Sequence, residues 1–279
     1  MPNYELRESE IRALGAGALD TYPSNGPFVA LAVRTDDPLA DVARTVEREV
    51  FQESFGNDAA TMTAEYGPYE KDSLFFLVLD RRTAMPVGAG RVIEGGGKTL
   101  DDAPDRIGAD LSTIVAAHDL YDGRIWDFAT IAVRPEYRGG KSALLVSSLL
   151  YRTFLNAGRR AGVRHLVAML DNRAFRSLTL LGAPFVAMAG SAPFEYLGSA
   201  ATRALYVPFA ALEPSIAEQS ERLGKIGTPF RGEIRARGLH YLITRRIASR
   251  IAHQVATGHG LDEHVALPAL ERRRLRGRR

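Results

Sequence analysis

The stretch Trp126–Leu150, WDFATIAVRPEYRGGKSALLVSSLL, passes from an apolar run through a short basic turn into a second apolar run. Phe128–Val133 is β-branched, stops at Pro135 and reads as a strand, while the run after the turn has helical spacing as far as about Ala161. The turn between them holds Tyr137, Arg138, Gly139, Gly140 and Lys141. Backbone N–H groups at a helix start have no partner inside the helix, and they point at any anion that arrives there, aided by the helix dipole. Gly139 and Gly140 permit close backbone approach, Arg138 and Lys141 add positive charge, and Ser142 adds a hydroxyl. A pyrophosphate suits such a pocket. The same glycines would also serve an ordinary strand-to-helix connection. Neither the glycine spacing of a Walker loop nor the three glycines of a dinucleotide fold is present.

Of the 279 residues 46% are hydrophobic, ample for a buried core in one large domain or two. No apolar run is long enough to cross a membrane, and Glu5, Glu8, Glu10 and Asp20 argue against a secretory signal. With no cysteine, a disulfide scaffold, a thiolate zinc site and a thiol nucleophile are excluded, and a cytoplasmic address is the expectation. The six histidines show no metal-ligand spacing, so no metal is expected. From Arg235 onward eleven arginines face three acidic residues, a surplus of eight positive charges, so the net +3 leaves the preceding 234 residues five units negative. This basic tail is read as a solvated terminus; nucleic acid, acidic lipid and an acidic carrier protein are its alternative partners.

Residues 1–27 show weak periodicity and end in a turn-rich boundary. Phe28–Thr35 reads as a first strand, and a helix of roughly 17 residues then opens at Pro38 and ends near Gly56. Ser73–Asp80 and Val87–Glu94 read as a hairpin, and Gly95–Gly97 lead through a loop to a helix over about Leu111–Leu120. After the central strand, turn and helix come a strand over Arg164–Leu170, a helix from Asn172 to Gly182, and short strands at Phe185–Met188 and Arg203–Phe209. Beyond Pro214 the pattern is helical and charged. The expectation is therefore an α/β protein with a mixed sheet, an N-terminal segment at 1–27, a main domain at 28–209 and a helical extension with a basic tail at 210–279.

Val133-Arg134-Pro135-Glu136-Tyr137-Arg138-Gly139, between strand and apolar helix, resembles the coenzyme A signature of the GNAT acyltransferase superfamily. Arg138 and Ala143 fit its pattern, and Lys141 stands where a glycine is usual. The resemblance implies a sheet whose central strands splay to admit a thioester, with acyl-CoA as cosubstrate and a small-molecule amine as acceptor. It implies proton handling by Asp127, and a thioester held by the backbone of Ile131, Ala132 and Val133. It also brings in Asn172, which opens the next helix in the family's Asn…Ala…Leu-Tyr pattern; there the tyrosine that protonates the leaving thiolate falls on Leu178. Flanking Trp126 and Phe128 offer Asp127 an apolar setting that would raise its pKa.

A second likeness is to acyl-homoserine-lactone synthases and related N-acyl amino acid synthases. Val50-Phe51, Glu65, Ser73–Asp80, Pro86–Arg91 and Trp126–Thr130 fall in the order of their landmarks. Glu65, Arg91 and Asp127 match polar positions of that group, while Thr130 replaces an arginine and Gly67 an acidic residue. This implies substrate contacts at Glu65, Arg91 and Thr130, with Glu65 a natural ion-pair partner for Arg91, and acyl carrier protein as an alternative donor. Two alternatives stand beside N-acyl transfer from acyl-CoA: a long-chain synthase of this second type, and a catalytically silent binding or regulatory module. Quaternary state is open, a homodimer being one option.

Overall fold

The computed structural model describes residues 2–23, 25–138, 140–224, 245–258, 261 and 263–264, with the backbone alone of 140, 141, 224, 263 and 264. Gly139 and the basic tail beyond 264 lie outside the described residues.

The sheet takes its shape from apolar strands that are covered on both faces. Strand β1 (Phe28–Arg34) is followed by helix α2 (Leu39–Phe55), which ends on Gly56 in the left-handed conformation at φ 78°. A hairpin of β2 (Ser73–Asp80) and β3 (Met85–Glu94) comes next. Every residue of β2 is buried, because its period-2 alternation feeds two cores at once. Leu74, Phe76 and Val78 join the cluster beneath α6 (Gly140–Ala161), and Phe75, Leu77 and Leu79 join the one beneath α2. Gly88 lets α6 come close: a Cβ there would lie 3.0 Å from Leu150 and 3.1 Å from Val146.

Beyond β4 (Arg124–Val133) and α6 run β5 (Val163–Asp171), α7 (Asn172–Leu181), β6 (Val186–Ala187), β7 (Phe194–Tyr196) and β8 (Ser199–Pro208). Asp171 caps α7 by accepting from the Arg173 and Ala174 amides, and Gly182 closes the helix at φ 98°. With β9 at Glu263–His264, the strands among the described residues form one sheet in the order β6-β8-β5-β4-β3-β2-β1-β9, with β7 on β8. The neighbours are antiparallel except β4–β5 and the pairing of β1 with β9. This is the mixed α/β architecture that the order of apolar runs predicts.

Three helices escape the sequence pattern: α1 (Glu8–Thr21), α3 (Ala59–Tyr66) and α4 (Gly97–Ile107), the last preceding the expected α5 (Leu111–His118). Gly15 and Gly17 dilute the signal of α1, and Gly15 is needed there because any Cβ would run into the Ala84 carbonyl. A start on three glycines and an internal Pro104 hide α4. The C-terminal part packs into the main core. From α8 (Phe209–Gly224) come Phe209, Leu212 and Ile216, and the helical residues 245–257, here α9, contribute Ala248, Ala252 and Val255.

Candidate functional site

The β4–β5 pair sets the site. These strands pair in parallel from Arg124↔Val163 to Asp127↔Val167, where the ladder ends, although β4 continues to Val133 and β5 to Asp171. Past that point each strand keeps only its outer neighbour, β3 for β4 and β8 for β5, so a wedge opens between them. An irregularity in the β3–β4 register coincides with the opening: Val92 faces Phe128 and Arg91 faces Thr130, leaving Ala129 as an extra residue. Such a bulge bends the strand and re-aims the residues after it. Ile131 and Val133 then turn toward the α6 side, and Ala132 is buried in the α2-side core.

At the apex of the wedge, on the α6 face, lies an apolar cavity bordered by Phe128 of β4, Leu166 of β5 and Leu178 of α7. Leu178, where the resemblance would put an acid, is part of this hydrocarbon wall.

At the mouth of the wedge stands the basic turn, tied firmly to its surroundings. Its 3₁₀ segment Pro135–Tyr137 uses the amides of Tyr137 and Arg138 internally, bonded to the carbonyls of Arg134 at 2.9 Å and Pro135 at 3.1 Å. The amides left for an anion are therefore those of the first turn of α6, which starts at Gly140. Arg138 donates from Nε to the Val133 carbonyl at 2.7 Å and reaches Glu53 at 3.4 Å; Arg134 pairs with Glu49 at 2.6 Å. The Tyr137 hydroxyl donates to Asp80 at 3.0 Å. Ser142 lines a shallow groove together with Arg81 and Arg82 of the β2–β3 turn. These two arginines add charge beside the helix start, and their adjacency in the sequence was the one signal for them. Ala143 follows, half-buried, on the same helical turn. Asn172 opens α7 at the end of β5, its side-chain oxygen accepting from Arg203 at 3.3 Å.

On the opposite face of β4, Asp127 is 1% exposed. One oxygen accepts from the Thr99 amide at 2.8 Å and the other from the Thr99 hydroxyl at 2.7 Å. It thus caps the first turn of α4 from a strand 28 positions away in sequence. Burial pushes its carboxyl up to about 7, against the Thr99 bonds and the charge of Lys98, which pull it down.

Glu65 does not meet Arg91. It pairs with Lys98 at 2.5 Å, which also holds Asp102 at 2.7 Å, because α3 presents Glu65 to the start of α4. Arg91, fully buried, is held instead by Glu47 at 2.8 Å, Glu70 at 3.1 Å and the Tyr4 hydroxyl at 2.9 Å. Thr130 donates its hydroxyl to Glu47 and so joins Arg91's cluster. Burial raises Glu70, but the charges and hydrogen bonds of Arg91 and Arg44 outweigh it and hold the carboxyl low. Glu47, Glu70, Arg44 and Lys98 were not foreseen, since nothing local in the sequence marks a charge that is buried by distant elements. Among the described residues no group of histidine and carboxylate side chains could hold a metal, and no helix is long and apolar enough to cross a membrane.

No family model and no curated protein matches the chain. Solved structures of similar fold include FeeM, an N-acyl amino acid synthase from uncultured soil microbes, at 16% identity over 68% of this chain and 94% of that one, with a TM-score of 0.48. Another is BjaI, a CoA-dependent acyl-homoserine lactone synthase, at 15% identity over 73% and 91%, TM-score 0.44. A third is an N-acetyltransferase from Lactobacillus plantarum, described as putative, at 12% identity over 66% and 99%, TM-score 0.43.

Proposed function

We propose that this chain is an N-acyltransferase that moves an acyl group from the thioester of acyl-CoA, with acyl carrier protein as alternative donor, to the amine of a small molecule. The observation that carries the reading is the end of the β4–β5 ladder at Asp127 and Val167. A thioester arm is a narrow, extended, amide-bearing chain. The wedge offers it two strand edges with unspent backbone groups, an anion-binding helix start at one end and an apolar cavity at the other.

In this scheme the pyrophosphate rests on the first turn of α6 beside Arg138, Lys141 and Ser142, with Arg81 and Arg82 adding charge. Backbone of Ile131, Ala132 and Val133 aligns the arm and faces the developing oxyanion. The amine attacks the thioester carbonyl, its proton leaves, and the thiolate departs. Asp127 takes up the proton. Thr99 occupies both of its oxygens, so the transfer runs through the Thr99 hydroxyl. Leu178 offers the thiolate no proton; a thiol is acidic enough to leave without one. Arg91 and Thr130, bound through Glu47, and Glu65, bound to Lys98, hold the acceptor side in shape.

Thermal-shift titrations with acetyl-CoA, longer acyl-CoAs and free CoA, followed by thiol release in the presence of an amine panel, test the reading. It requires stabilisation by CoA species and amine-dependent thiol release. Neither effect with any donor would refute it, and binding without turnover would leave only a ligand-binding module.

A further inference from the structure

The apolar cavity at the apex of the wedge lies between the sheet and its covering helices, and one part of its wall comes from α9 near the C-terminus. Phe128 and Leu166 border it on the sheet side and Leu178 on the α7 side, with α6 (Phe154) and α8 (Ile216) closing much of the rest, and Ala252 and Val255 of α9 complete the wall. Both α9 residues are buried, at 0% and 1% exposure. We propose that α9 is the ruler of the acyl pocket, and that the sizes of residues 252 and 255 set the longest acyl chain the protein accepts. The inference rests on the acyl-transfer reading and adds the substrate class: short acyl donors.

Three observations support a ruler. The wall is at the right place, since Phe128 is the first β4 residue past the last β4–β5 pair, so hydrocarbon leaving a thioester in the wedge on the α6 side enters this cavity. Its position is fixed. Arg152 of α6 donates to the carbonyls of Val255 at 2.9 Å and Ala256 at 3.2 Å, satisfying the C-terminal end of α9, and Ser148 donates to Gln254 at 3.0 Å. The cavity-facing residues therefore lie on the pinned turns, where side-chain size decides the available length. Finally, the free volume is small, about 30 Å³. A short hydrocarbon stub fits there, and a longer one meets Val255 and Ala252. The borders are carbon, so the pocket rewards methylene groups and offers nothing to a polar tail.

The test is a series of acyl-CoAs, from acetyl through butyryl and hexanoyl to decanoyl, titrated calorimetrically into the full chain and two variants. The unmodified protein should bind more tightly with each added methylene, by about fourfold per group, until the wall is met, and more weakly beyond. Val255→Ala should move that break to longer donors, with acetyl-CoA unchanged. Ala252→Phe should move it to shorter ones, again with acetyl-CoA unchanged, which also reports that this variant is folded. Because Val255→Ala only removes atoms, it decides the matter even where Ala252→Phe fails to fold. A Val255→Ala profile that superimposes on that of the unmodified protein overturns the ruler and leaves acyl transfer standing. No binding of any CoA species by the unmodified protein overturns both.

Discussion

Asp127 meets two demands at the scale of a single residue. It caps α4 through Thr99, and its carboxyl is poised near neutrality by burial. The sequence marks it through its apolar neighbours, but Thr99 is legible only once α4 is known to start there. Asp127→Asn keeps an acceptor for the Thr99 amide and removes the titration. A carboxyl at about 7 in the folded chain, against an ordinary 3.8, holds its proton more tightly folded than unfolded. Its contribution is therefore complete below about pH 4 and is lost as pH rises through about 7. Urea midpoints of Asp127→Asn should fall less between about pH 5 and pH 8 than those of the unmodified protein, with turnover depressed and CoA affinity near normal. An equally steep fall, or unaltered turnover, would remove the assignment. Arg138→Ala should weaken CoA binding by about 1–3 kcal/mol, the loss expected for a charged hydrogen bond; unchanged affinity by calorimetry would mean that the anion sits elsewhere. Arg91 shows the limit of reading residues in sequence. Its partners Glu47 and Glu70 lie 44 and 21 positions away on different elements, and no pattern links them.

Among the elements, those with strong periodicity or clean caps were legible. Helix α2 runs from Leu39 to Phe55, and α7 lies between Asp171 and Gly182, as their cap residues indicate. Strands β2 to β5 follow from their apolar runs. The hidden elements depend on partners far away. Helix α1 is shaped by Gly15 against Ala84, where a Cβ would stand 2.0 Å from the carbonyl oxygen. Gly15→Ala improves local helix propensity by about 1 kcal/mol, yet it should destabilise the protein by about 1–3 kcal/mol, the cost of overpacking. Chemical denaturation reads the sign directly, and a gain in stability would show that α1 sits less tightly on the β2–β3 turn.

For the whole molecule, the order of strands β1 to β5 and of the helices α2, α5, α6 and α7 could be read from the sequence, whereas α3, α4 and the short strand β7 could not. Nor could the role of the C-terminal part, because its helices look solvated in a one-dimensional charge pattern; the apolar faces of α8 and α9 acquire meaning only against α6 and α7. Deleting residues from Glu271 onward should leave the unfolding midpoint and cooperativity unchanged, since this arginine-rich segment has little apolar surface to bury. A broadened transition would show that the tail belongs to the core. The central claim is that the gap between β4 and β5 receives a thioester arm. A crystal structure with an acyl-CoA tests it most directly. The account predicts pantetheine density between the strands beyond Asp127 and Val167, with the pyrophosphate on the first turn of α6. A fully occupied CoA bound elsewhere, with the wedge holding only water, would contradict it.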